Sequence, residues 1–282
     1  MSALPIGVFD SGVGGLTVLK ALSQQLPRES FIYLGDTARL PYGTKSPQTV
    51  ARYALQAAQA LAARGVKCIV IACNTASAAG LSAINQRLPA LPIIGVIEPG
   101  AAAASVASQS GHIAVIATEA TVRGGAYQQA ILRKRPAACV RAEAAPLLVA
   151  LAEEGLHEGP IAEQIASHYL EPIFTSPAGH AAPPDTLVLG CTHFPMLLGA
   201  IRRAVGPAVH IVDSAATTAL TVQQRLRAAG LLEHEGRVEA VGANGEPTLR
   251  FLATDDRDRF ARIGSRFLQR PIAPGEVELV DL

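Results

Sequence analysis

The chain has 282 residues, 49% hydrophobic and 4% aromatic with no tryptophan, and its 24 basic and 23 acidic side chains leave a formal net charge of +1. Charges this balanced and scattered, with few rings for base stacking, exclude nucleic acid as the main partner and make a small molecule the expected ligand. The apolar runs are far shorter than the roughly 20 residues of a membrane span, so no membrane association is expected.

The first strand-like run, residues 6–9, begins with no basic region or long apolar segment before it, so no secretory signal is read and a cytoplasmic location is expected. Further short runs of β-branched and apolar residues fall at 31–34, 68–72, 93–96, 113–117, 186–190 and 210–212, with alanine-rich helical stretches between most of them. This alternation predicts an α/β protein with mainly parallel sheets. One helix is well punctuated: Ser46 is the expected N-cap, Pro47 the first helical residue and Gly65 the end, with Val50, Ala54, Ala57 and Leu61 as the buried stripe. Residues 175–185 read as a Pro/Gly/Ala-rich loop, 233–247 as a turn or small hairpin, and 257–268 as the final helix.

Four segments place chemistry after strands, where α/β proteins bind ligands. Asp10-Ser11-Gly12-Val13-Gly14-Gly15 forms a glycine-rich turn with exposed amides that suit an anion, although neither the P-loop nor the GxGxxG pattern is complete. Asp36 to Gly43 follows the second run, and the Tyr42 hydroxyl and Gly43 amide suit a carboxylate. Cys73-Asn74-Thr75 and Cys191-Thr192-His193 then end two similar apolar runs with a thiol and hydrogen-bonding groups. Their similarity suggests duplication, with two related α/β units facing each other across a cleft.

The four cysteines include no CxxC pair, which argues against a disulfide framework or a structural zinc site. Cys68 and Cys139, within or beside apolar runs, read as inert small hydrophobes. Cys73 and Cys191 are read as lying near helix starts, where a thiolate is favoured. Two opposed thiols meet the need of a racemase without a cofactor: one removes the α-proton and the other returns a proton from the opposite face. Asp10 and His193 are candidates for tuning the thiols, while Ser11, Asn74, Thr75 and Thr192 can clamp ammonium and carboxylates.

In the segments FDSGVGGLTVLKAL, LGDTARLPYG, ACNTASA, LGCTHFPML and FLATDDRDRFARIGSRFL, the sequence resembles the glutamate racemases, within the wider aspartate and glutamate racemases. The resemblance implies interconversion of L- and D-glutamate for peptidoglycan, without pyridoxal phosphate, metal or nucleotide. It implies two pseudo-symmetric α/β domains, 1–97 plus 211–282 and 98–210, with the active site in the cleft between them, and a homodimer. Cys73 and Cys191 match the catalytic pair, Cys73 acting on the D-isomer and Cys191 on the L-isomer. Asp10, His193 and Glu153 match supporting positions, although Glu154 stands beside the last. Asp10, Ser11, Pro41, Tyr42, Gly43, Asn74, Thr75, Thr118, Thr121, Thr192 and His193 match substrate contacts or positions flanking the pocket.

Three rival readings make different predictions. Aspartate racemase differs by one methylene in the substrate. A zinc protein using Cys73, Cys191, His193 and Asp10 would need ligands converging from three loops. A binding module without turnover would exchange no α-hydrogen.

Overall fold

A computed structural model describes residues 4–175, 182–232 and 247–282. The segments 176–181 and 233–246, which hold most of the expected loop and the expected turn, lie outside the described residues. In chain order the strands are β1 (Ile6–Asp10), β2 (Phe31–Gly35), β3 (Cys68–Ile71), β4 (Ile93–Gly95), β5 (His112–Ala117), β6 (Cys139–Ala144), β7 (Thr186–Gly190), β8 (His210–Asp213), β9 (Leu249–Ala253) and β10 (Val277–Leu279). They form a six-stranded sheet in the order β10-β9-β2-β1-β3-β4 and a four-stranded sheet in the order β6-β5-β7-β8. Every strand pairing among the described residues is parallel.

All seven expected strands form, within a residue of the expected ends. Every residue of β1, β2, β3 and β7 is buried. Such uniformly apolar strands need helices on both sheet faces, and the alanine-rich helices between strands supply that cover. The helix Pro47–Ala62 is built as its sequence dictates: the Ser46 hydroxyl accepts the Thr49 amide at 3.3 Å, and Val50, Ala54, Ala57 and Leu61 are fully buried. Gly65 follows with a φ of +72°, a conformation that suits a residue without Cβ.

The two sheets repeat one plan. The order β2-β1-β3-β4 within the larger sheet matches β6-β5-β7-β8 in the smaller one, so β3 corresponds to β7. Cys73 and Cys191 therefore follow equivalent strands in two related halves. A division of the chain between residues 210 and 211 would cut β8, where Ile211, Val212 and Asp213 pair with Leu187, Val188 and Leu189. The strand stays whole in the smaller sheet. Beyond it, the helix Ser214–Ala228 reaches back to the larger half, where Gln25 Nε2 donates to Gln223 Oε1 at 2.9 Å.

Candidate active site

The loops that leave the carboxyl ends of β1, β2, β3, β5 and β7, with the helix Pro146–Glu154 after β6, line one cavity of about 290 Å³. Ser11, Pro41, Tyr42, Gly43, Cys73, Asn74 and Thr75 reach it from the larger half, and Thr118, Glu153, Cys191, Thr192 and His193 from the smaller. Asp10 and Thr121 do not line it. Thr121 stands just behind, its hydroxyl 3.2 Å from that of Thr75 and 3.0 Å from that of Thr118. Asp10 is buried beneath the β1 loop, where Oδ2 accepts the Gly12 amide at 2.9 Å and Oδ1 has no hydrogen-bond partner.

Cys73 is the N-cap of the helix Asn74–Arg87, and its sulfur accepts the Ala76 amide at 3.4 Å. The thiol also lies 3.6 Å from the Ser11 hydroxyl. At Cys73 the expectation that the helix start favours a thiolate is not met. Burial, and after it the negative charge of Asp10, outweigh the amide and hydroxyl and push the Cys73 thiol up to about 12.

Cys191 sits differently. No long helix starts at it; Thr192 and His193 lead into the short turn Phe194–Leu197. Its partner is the His193 ring, with Nδ1 3.8 Å from the sulfur, while Nε2 lies 3.2 Å from Glu153 Oε1. The second oxygen of Glu153 accepts Arg259 Nη2 at 2.9 Å, so a polar chain runs from the thiol to the surface. Burial works against the imidazolium, but the contacts to Cys191 and Glu153 overcome it and lift His193 to about 10. The same contact holds the Glu153 carboxyl below its ordinary range, with Arg259 adding to the effect. These contacts favour the protonated form of the ring beside Cys191.

Three hydroxyls join the two halves at the cavity wall. Thr75 lies 2.9 Å from Thr118, and both meet Thr121. Gly43 closes against the same point, since a Cβ there would come within 2.9 Å of the Thr118 Cβ. The expected role of the Tyr42 hydroxyl is not met: it donates to Asp36, a carboxylate also held by Arg39 Nε at 2.7 Å and Thr254 at 3.0 Å. With its proton engaged there, the Tyr42 hydroxyl is not free to donate into the cavity, and Tyr42 shapes the wall.

Other residues at the site were not singled out in the sequence. Leu40, Thr44, Glu119, Pro146, Val149 and Ala150 also line the cavity. Arg259 holds Glu153, Thr17 donates to the Thr192 carbonyl at 3.0 Å, and Tyr33 donates to the Gly12 carbonyl at 2.9 Å. Cys139, read as a buried hydrophobe, is exposed on β6, whereas Cys68 is buried as expected. Among the described residues no group of three or more His, Cys, Asp or Glu is placed to hold a metal ion, so the zinc reading lacks a donor set.

A profile described as Asp/Glu/hydantoin racemase matches residues 6–222. The chain belongs to that family. This racemase is 46% identical over 263 residues to the glutamate racemase of Geobacter metallireducens, the match covering 93% of this chain and 92% of that one. Among solved structures it resembles the glutamate racemase of Francisella tularensis in complex with D-glutamate, with a TM-score of 0.87 and 35% identity, covering 100% of this chain and 98% of the other. It also resembles the glutamate racemase of Thermus thermophilus in complex with β-chloro-D-alanine, with a TM-score of 0.84, 43% identity and coverage of 100% and 98%. The family and the two-sheet fold expected from the sequence therefore hold for this racemase.

Proposed function

We propose that this racemase interconverts L- and D-glutamate by a two-base reaction of Cys73 and Cys191, needing neither cofactor nor metal. We place it in the cytoplasm as a homodimer that supplies D-glutamate for peptidoglycan, with domains of 1–97 plus 214–282 and 98–213. The observation that carries the chemistry is that two thiols, from the ends of equivalent strands in the two halves, line the same cavity.

The balance of the step follows from the thiols. Cys191 as thiolate takes the α-proton of L-glutamate and becomes a thiol, and the Cys73 thiol gives its proton to the other face of the planar carbanion and becomes a thiolate. Starting from the D-isomer, the same steps run in reverse. His193 stabilises the Cys191 thiolate, while the Ala76 amide and Ser11 hydroxyl support Cys73. The substrate ammonium adds a positive charge between the sulfurs and offsets the burial that holds the Cys73 proton. The hydroxyls at Thr75 and Thr118 and the amide of Asn74 are the carboxylate donors this reading requires.

The test is a circular-dichroism racemisation assay on L-glutamate and L-aspartate in parallel, with enzyme dialysed against EDTA. Decay of the glutamate signal alone, unchanged by the chelator, is the expected result. Decay of aspartate alone would replace the substrate, and loss of activity restored by zinc would replace the mechanism.

A further inference from the structure

Tyr127, on the helix Ala126–Lys134 of the smaller half, is buried and takes no part in the reaction just described. Its ring occupies a slot between two glycines: a Cβ on Gly190 would lie 2.9 Å from one ring carbon, and a Cβ on Gly100 3.3 Å from another. Gly190 directly precedes Cys191, so the ring lies against the strand end that presents that thiol. The hydroxyl crosses to the larger half, where it donates to Asn74 Oδ1 at 2.7 Å, beside Cys73. Asn74 lines the cavity, and its Nδ2 is buried without a hydrogen-bond partner. A buried amide nitrogen left unpaired is costly, and such a cost is tolerated where a ligand supplies the missing acceptor.

We propose that Tyr127 is a positioning residue: its hydroxyl holds the carbonyl end of the Asn74 side chain, leaving the NH₂ group to donate to a substrate carboxylate. The proposal rests on the glutamate reading for the identity of that carboxylate. Burial raises the Tyr127 phenol above its ordinary pKa, so the donor keeps its proton across the working pH range. One hydroxyl thereby ties an amide beside the first thiol to the strand end of the second. Without it, the amide can turn and offer its carbonyl oxygen to the carboxylate.

The experiment is a double-mutant cycle on Tyr127→Phe and Asn74→Ala, with steady-state kinetics in both directions, calorimetric dissociation constants for glutamate, and thermal melts. Tyr127→Phe should raise KM and Kd for both isomers about 5- to 10-fold, the cost of one oriented hydrogen bond, while kcat changes less than about threefold. The enantiomers have equal free energy in water, so kcat/KM must fall by the same factor in both directions. In the Asn74→Ala background the Tyr127→Phe change should cost nothing further in KM or Kd. A Kd unchanged by Tyr127→Phe, or an equal cost in both backgrounds, would overturn the proposal.

Should Tyr127→Phe not fold, Asn74→Asp reads the same polarity, because it keeps an acceptor for Tyr127 but removes the free donor. Its Kd should rise about tenfold or more with an unchanged melting temperature, and wild-type affinity would overturn the proposal. Absence of α-hydrogen exchange in heavy water by the wild-type enzyme would count against the racemase reading alone, since Kd reports the coupling without turnover.

Discussion

At the level of single residues, the two thiols share a topological position but not an environment. Cys73 is buried near Asp10 and pushed up to about 12, whereas Cys191 has as neighbour a histidine whose pKa is raised to about 10. Removing either thiol should abolish racemisation, by about 10³-fold or more, because a positioned proton carrier typically contributes 10²–10⁴-fold. The partial reaction is more telling. In heavy water Cys73→Ala should still exchange the α-hydrogen of L-glutamate, and Cys191→Ala that of D-glutamate, each without inversion. Exchange of both isomers by either variant, read by NMR, would show that one group reaches both faces.

His193 gives a stability test with a defined sign. Its pKa is raised from the ordinary value of about 6.5 to about 10 in the fold. Protonation therefore favours the folded state fully below the unfolded value, and the contribution is lost as pH rises through the folded value. The melting temperature of wild type should exceed that of His193→Gln most near pH 6, and the gap should close towards pH 10. A gap that stays constant with pH would mean the ring is neutral in the folded protein. The Cys-Asn-Thr and Cys-Thr-His triplets were legible because thiol and donors are sequence neighbours. Tyr127 and Arg259 were not, because Tyr127 lies 53 positions from Asn74 and Arg259 lies 106 positions from Glu153.

At the level of elements, the glycine turn after β1 and the turn after β7 approach so closely that a side chain cannot fit between them. A Cβ on Gly14 would lie 2.4 Å from Thr192 Oγ1 and 2.4 Å from the His193 ring, and Thr17 from the following helix donates to the Thr192 carbonyl. Gly14→Ala should therefore displace the loop that carries Cys191, with a stability cost of about 1–3 kcal/mol from overpacking and at least a tenfold fall in kcat/KM. A variant with full activity would show that the loops move apart freely. The helix Arg257–Leu268 acts on the same loop from the other side, since Arg259 holds Glu153 and the Phe267 and His193 rings pack in a T shape with centroids 5.1 Å apart. This helix was read correctly from its pattern, but β6, β9 and β10 were not. β6 (CVRAEA) alternates exposed and half-buried residues at a sheet edge, and β10 has only three residues, so neither has the continuous apolar run that marks a covered strand.

On the scale of the whole molecule, the parallel α/β plan was legible because central strands must be apolar throughout, and the duplication because both thiols end such a strand. The cavity itself is a product of tertiary structure, closed across the two halves by hydroxyl contacts from Thr75 to Thr118 at 2.9 Å and to Thr121 at 3.2 Å. A ligand held there makes contacts to both halves, so its binding energy should stabilise them together. Glutamate at about 100 times its Kd adds about 2.7 kcal/mol to the folded state, which for a chain of this size shifts the melting temperature by about 4–5 °C. Calorimetry should show the whole unfolding endotherm moving upward, with a smaller shift in Thr118→Val, which loses a hydroxyl on the cavity wall. If the endotherm splits and only one component moves, a single half holds the ligand. Two thiols from different halves could not then face one α-carbon, and inversion by opposed bases would lose its geometric foundation.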